Sequence, residues 1–394
     1  MTTTAERYRA FRGAALFSMG FRPFFLFSAA WAALAVPLWV ASYLGILPAG
    51  QITRDWHVHE MLFGYLSGVI AGFLLTAVPN WTGRLPVTGA PLIGLFSLWA
   101  AGRIAMLMPA VLGAAASVID SLFLFALAAV IAREILAGRN SRNFPVCLLV
   151  SALGVANVLS HTQLANLDMS LLGGRIGIAV VAMLIALIGG RIVPSFTRNW
   201  MARRKLSPEP AQAGRFDAIA LAITGGALLT WIAAPLSPGA GVLLVSAGIM
   251  NFTRLLRWRG WTTSSEALVL ILHAGYGWLA AAFTLLGLAV LAPAQIPTAA
   301  GIHALTAGAF GVMTLAVMTR ATLGHTGQAL TANRSTKVIY LLVNLGALAR
   351  TIAPLFTDAY GAALTLAAFA WSGAFALFVI AYAPLLARSR RAAA

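Results

Sequence analysis

The feature that most restricts this chain is a succession of apolar runs, each about twenty residues long, separated by short polar or basic connections. A run of that length spans the hydrocarbon of a bilayer as a helix, because a helix satisfies its backbone hydrogen bonds within one segment. The runs fall at about 24–46, 57–80, 90–109, 111–132, 144–165, 170–190, 216–236, 239–256, 265–291, 297–319, 336–356 and 360–386. The expected fold class is therefore all-α: a polytopic membrane protein of about twelve transmembrane helices, one integral domain over 1–394. With 60% hydrophobic residues, 9% charged residues and a mean hydropathy of +0.87, the composition excludes a soluble chain with a large core.

The net charge of +17 invites a nucleic-acid reading, and the placement of the cations excludes it. Nearly all of the 27 Lys and Arg sit in alternate connections. They are Arg7, Arg9, Arg12 and Arg22 before the first run, then Arg84, then Arg133, Arg139 and Arg142, then the basic residues of 191–215. Arg254, Arg257 and Arg259 follow, then Arg320, Arg334 and Lys337, and finally Arg388, Arg390 and Arg391. In the opposite set of connections only Arg54 occurs. By the positive-inside rule both termini are expected in the cytoplasm. The first run is too long for a signal h-region, so it is expected to remain as an anchor. Cys147 is single, which excludes an internal disulfide and a CxxC site and leaves a packing role. No phosphate-binding loop, HExxH pair or activated nucleophile is present.

The second run carries the densest chemistry, with His57, His59 and Glu60 in its first turns and Gly64, Gly68 and Gly72 on one face below them. Ionisable groups are costly inside a bilayer and mark functional sites there. Residues two apart on a helix point about 200° apart, so His57 and His59 are not expected to share one metal ion. The glycine face admits another helix or a flat ligand such as a porphyrin. Arg103, Arg175 and Arg350 fall inside helices 3, 6 and 11, in the outer half of the membrane, at depths similar to Glu60 and Asp120. Counted this way the outer half holds more buried positive than negative charge, and an anionic partner is expected. His161 and His303 share that depth, whereas His273 lies nearer the middle and His325 at the cytoplasmic end.

A three-fold repeat of four-helix units, about 24–132, 144–256 and 265–386, is expected from helices 2, 6 and 10. His59 to Gly83 spans the same interval as His303 to Gly327, pairing Gly64 with Gly308 and Thr82 with Thr326. Pro194-Ser195-Phe196-Thr197 matches Pro79-Asn80-Trp81-Thr82.

Several stretches together resemble the NnrS family: Phe21-Arg22-Pro23-Phe24-Phe25, Trp56-His57-Val58-His59-Glu60-Met61-Leu62-Phe63-Gly64-Tyr65 and the Gly72-to-Gly83 run. So do Gly189-Gly190-Arg191-Ile192-Val193-Pro194-Ser195-Phe196-Thr197 and Met318-Thr319-Arg320-Ala321-Thr322-Leu323-Gly324-His325-Thr326-Gly327. The resemblance implies a bacterial inner-membrane protein containing haem b and copper and linked to denitrification and the nitric oxide response. Histidines on helices 2 and 10 of twelve also resemble the catalytic subunit of haem–copper oxidases and nitric oxide reductases. The sequence departs from that pattern, with no adjacent histidine pair on helix 7 and none on helix 6.

With a haem implied, His59 and His303 are the expected axial ligands because they enter from one membrane face in equivalent repeat positions. His57 is the substitute for His59, and His161 and His273 complete the candidate metal ligands. Arg103, Arg175 and Arg350 are expected against haem propionates. The expected function is binding or turnover of nitric oxide or its iron complexes near the outer face, with an unknown electron donor and no nucleic acid. A transporter of an anionic substrate or metal complex is the alternative, and a sensor with output through 191–215 is a third reading.

Overall fold

In the computed structural model, residues 13–47, 50, 52–162 and 169–388 are described. Arg7, Arg9, Arg12, Arg390 and Arg391, which carry part of the topology argument, lie outside the described residues. Twelve helices are long and apolar enough to cross a membrane, and no strand occurs among the described residues. They are α1 Phe21–Tyr43, α2 Arg54–Thr82, α3 Ala90–Leu107, α4 Ala114–Ala137, α5 Ser141–Ser160 and α6 Leu171–Arg203. The rest are α7 Arg215–Ala233, α8 Pro238–Arg257, α9 Ala267–Leu291, α10 Thr298–Thr326, α11 Arg334–Leu355 and α12 Tyr360–Ala387.

The longest helices are α6, with 33 residues, and α2 and α10, with 29 each. Thr53 starts α2: its hydroxyl accepts the Trp56 backbone N–H at 3.1 Å. Gly83 stops α2 at φ 69° and Gly327 stops α10 at φ 74°, a left-handed conformation that glycine adopts without a Cβ clash. These are two glycines that the repeat register pairs.

The same three helices each contain a π-helical segment: Glu60–Leu66 in α2, Ile185–Gly189 in α6 and Ala304–Phe310 in α10. In each segment one backbone carbonyl accepts a hydrogen bond from a side chain of another helix. Trp99 Nε1 donates to Gly64 C=O at 2.9 Å, Arg254 Nη1 to Ala186 C=O at 3.2 Å and Trp371 Nε1 to Ala307 C=O at 3.1 Å. Four residues after each accepting carbonyl stands a glycine, Gly68, Gly190 or Gly311. A helical side chain leans over the turn N-terminal to its own Cα, so a Cβ at that position would cover the carbonyl. The incoming donors occupy that space: a Cβ on Gly68 would lie 3.0 Å from Trp99 Nε1, and one on Gly311 would lie 2.6 Å from Trp371 Nε1. On Gly190 it would collide with the Arg254 guanidinium. The three glycines are spaced at near-equal intervals of the chain. That spacing shifts α6 by about two turns from the Pro79–Pro194 alignment.

The chain divides into two compact units. The first comprises residues 1–180, 321–329 and 378–394, so α1 to α5 and the start of α6 belong to it; the second comprises 181–320 and 330–377. In the first unit α1 packs on α2, α3 on α4 and α4 on α5; in the second α7 packs on α8, α8 on α9 and α9 on α10. Arg22 lies in the first turn of α1, fully buried, and its guanidinium donates to Leu385, Leu386 and Arg388 C=O at 3.2, 2.8 and 2.9 Å. A cation at these last carbonyls of α12 satisfies acceptors that the helix leaves unpaired.

The glycine device makes a prediction about coupling. Gly68→Val and Trp99→Phe each lower the thermal midpoint of the detergent-solubilised protein, and the double variant loses less than the sum, because both changes remove the same contact. Strict additivity would contradict the account.

Candidate metal centre

Five helices of the first unit deliver polar groups to one place. α2 brings His59 and Glu60, α3 brings Arg103, α4 brings Asp120, α5 brings Asn157 with His161 directly after its last residue, and α1 brings Trp31. His59, Glu60, Arg103, Asp120 and Asn157 are all buried, and the His161 side chain is 11% exposed. Two glycines make this approach possible. A Cβ on Gly102 would lie 3.2 Å from Asp120 Cα, so its absence lets α4 close on α3. A Cβ on Gly64 would lie 2.6 Å from Glu60 Oε2 and would strike the Arg103 guanidinium.

The ion pairs are tightly ordered. Arg103 Nη1 donates to Glu60 Oε2 and Arg103 Nη2 to Asp120 Oδ1. Trp31 Nε1 adds a hydrogen bond to Glu60 Oε2 at 2.7 Å, and Asn157 Nδ2 donates to Asp120 Oδ2 at 2.8 Å. His59 lies between the carboxylates, with Nδ1 3.0 Å from Glu60 Oε1 and Nε2 3.1 Å from Asp120 Oδ2. The Asn157 Oδ1 atom is 3.0 Å from the same Nε2. His161 Nε2 reaches Asp120 Oδ2 at 3.1 Å, and the two imidazole centroids are 4.7 Å apart.

One ligand atom each from His59, Asp120 and His161 lies within 4.8 Å of the others, the spread that a single metal ion spans. Glu60 and Asp120 carry two negative charges and Arg103 one positive charge. The remaining unit of positive charge comes either from His59 as an imidazolium, since both its ring nitrogens face carboxylate oxygens, or from a cation that replaces its proton. Glu60 on Nδ1 of His59 supplies the carboxylate–imidazole contact that directs the other ring nitrogen toward a metal.

The other sequence candidates are not brought to this cluster. His57 stacks on Trp39 of α1, ring centroids 4.3 Å apart, on a different side of α2 from His59, as the two-residue spacing requires. His273 places Nε2 2.8 Å from Thr197 Oγ1, and a Cβ on Gly260 would lie 2.5 Å from its Nδ1, so the ring is enclosed on both edges. His303 places Nδ1 2.7 Å from Ala299 C=O. Arg350 lies 5.9 Å from the Tyr360 ring centroid, and Arg175 makes no ion pair among the described residues. The expected surplus of buried positive charge does not hold at Arg103, which is bound by two carboxylates rather than awaiting an anion. Nor is the face of Gly64, Gly68 and Gly72 open to a porphyrin. It is filled by Trp31, Ser28, Phe24 and Phe25 of α1 and by Arg103 and Trp99 of α3.

Sequence reasoning missed Asn157 and Trp31. Asn157 had a signal, since it stands four residues before His161 and so on the same helix face. Trp31 had none, because tryptophan is common in membrane helices.

The chain matches the NnrS protein family over residues 15–390. It belongs to the NnrS family. Among curated proteins no match is found. The match covers the whole His59–Asp120–His161 cluster, so the site lies within the family region of this NnrS protein.

Burial sets what the charges are worth. Replacing Arg103, whose side chain is 6% exposed, by Leu leaves two buried carboxylates facing each other and costs about 3–5 kcal/mol of stability. Adding Glu60→Gln to Arg103→Leu removes one of those charges and restores part of the loss, measured as the thermal midpoint in detergent. A double variant no more stable than Arg103→Leu would contradict the charge count.

Proposed function

We propose that this NnrS-family protein binds a transition-metal ion through His59, Asp120 and His161 and uses it in nitric oxide chemistry in a bacterial inner membrane. The observation that carries the reading is the convergence of two imidazoles on one buried carboxylate oxygen. Two imidazoles and a carboxylate are a donor set for copper(II), zinc or ferrous iron, not for a soft thiolate-seeking ion. Copper is the ion that the family resemblance favours, and when bound it supplies a coordination position for a diatomic ligand or small redox molecule. Glu60 orients His59, Arg103 holds Asp120 so that Oδ2 faces the imidazoles, and Asn157 fixes the same oxygen.

The residues around His59 do not fit a haem, since the adjacent glycine face, where a porphyrin would lie, is filled. Haem b is better assigned to His303 alone. Its Nδ1 lies 2.7 Å from the Ala299 carbonyl, the kind of backbone contact that orients an iron-ligating imidazole. Arg175 and Arg350 remain the cations proposed for propionates. The alternative of anion transport rested on three outer-half arginines, and the pairing of Arg103 with two carboxylates removes one of them.

Metal titration of the purified protein tests the reading. About one equivalent of divalent metal per chain binds the wild type, and affinity falls at least about tenfold in Asp120→Asn and His161→Ala. It is retained in His57→Ala and His273→Ala. Full metal content in Asp120→Asn would sink the proposal. In the same preparations the haem absorption band, if haem is carried as assigned, is lost in His303→Ala and kept in His59→Ala.

A further inference from the structure

The charges of the cluster constrain what accompanies the metal. Glu60 touches Trp31, His59 and Arg103, while Asp120 touches Arg103, Asn157, His59 and His161. Among the described residues no other charged group is paired with either carboxylate. Arg103 neutralises one carboxylate, and with His59 and His161 neutral, as metal ligands must be, the fixed charge left is a single negative. A divalent ion placed there turns that deficit into a surplus of one positive charge, in a site whose carboxylates are 0% exposed. An uncompensated charge at that depth is costly, and a bound metal ion is the largest local charge in its surroundings. The site also supplies three ligand atoms, one short of the four that a tetrahedral ion takes, and three protein ligands with one open position is the pattern of reactive sites. Asn157 cannot close both gaps: its amide oxygen is near His59 Nε2, but it is neutral and its Nδ2 is already committed to Asp120. Of the three ligand residues His161 has the most exposed side chain, at 11%.

We propose that the His59–Asp120–His161 site takes a divalent metal ion together with one small monovalent anion as its fourth ligand. The inference rests on the metal reading above and adds the class of ligand that the metal position selects. Small inorganic anions are favoured there over neutral molecules of the same size, since only the former cancel the remaining positive charge. The set of fixed charges makes the preference adjustable. Glu60→Gln raises the fixed charge by one unit and strengthens the demand for an anion. Glu60→Gln combined with Arg103→Leu returns the fixed charge to its original value and the demand with it.

The experiment uses the full-length protein in detergent, loaded with Co(II) as a coloured divalent probe and titrated with azide. In the wild type, azide produces a saturable change in the Co(II) ligand-field bands. In Glu60→Gln the azide dissociation constant falls by on the order of tenfold or more, the size expected for one unit charge a few ångströms away. In the Glu60→Gln, Arg103→Leu double variant it returns toward the wild-type value. Co(II) bands that form normally and ignore excess azide would overturn this inference and leave the metal reading standing. So would azide constants that are equal in all three proteins. Failure of Co(II) to bind the wild type at all would overturn both.

Discussion

Arg103 held between Glu60 and Asp120 is the interaction on which the rest of the site depends. Three charges from α2, α3 and α4 meet where water is excluded, and removal of one strands the others at a cost of several kcal/mol. This fixes the rotation of each helix about its own axis. It also determines which oxygen of Asp120 faces the imidazoles, because Oδ1 is occupied by the guanidinium and Oδ2 is left for His59 and His161. The glycines follow from the same demand. Gly64 and Gly102 occupy the positions where a methyl group would push the partners apart, and Trp99 over Gly68 holds α3 against α2 one turn further on.

The π-helical segment Glu60–Leu66 begins at the residue that binds both His59 and Arg103. A π segment changes the angular position of everything that follows it along the helix, and such segments recur at functional sites. Here it lets His59 and Glu60 address the α3–α5 side while Gly64 offers a carbonyl to Trp99. The parallel arrangements in α6 and α10, with Arg254 and Trp371 as donors, sit beside no histidine–carboxylate cluster among the described residues. The device is therefore a way of joining helices, and only its α2 version has been built into a site.

The membrane architecture was legible because it depends on segment length and apolarity, which are local properties. The prominence of His59 and Glu60 was legible for the same reason, since a polar group in an apolar run stands out without any knowledge of its neighbours. What the sequence could not give was pairing. Arg103 looked like a cation in want of an anion because its partners are 43 and 17 residues away and lie on different helices. His303 looked equivalent to His59 because both open a long helix, yet their ring nitrogens have different partners. His161 ranked behind His59 and His303 because it stands at the end of helix 5 with no place in the repeat register, and only the approach of α5 to α4 gives it Asp120. The glycine four residues below each accepting carbonyl was visible in the sequence at Gly68, Gly190 and Gly311. Its meaning required the donor.

The most direct test of the central claim is X-ray absorption fine structure at the metal edge of copper- or zinc-loaded protein. The account gives a first shell of nitrogen and oxygen scatterers at about 2.0–2.1 Å, with the outer-shell pattern of two imidazole rings that becomes one in His161→Ala. A shell containing sulfur, or a spectrum without imidazole scattering that is unchanged in His161→Ala, would contradict it.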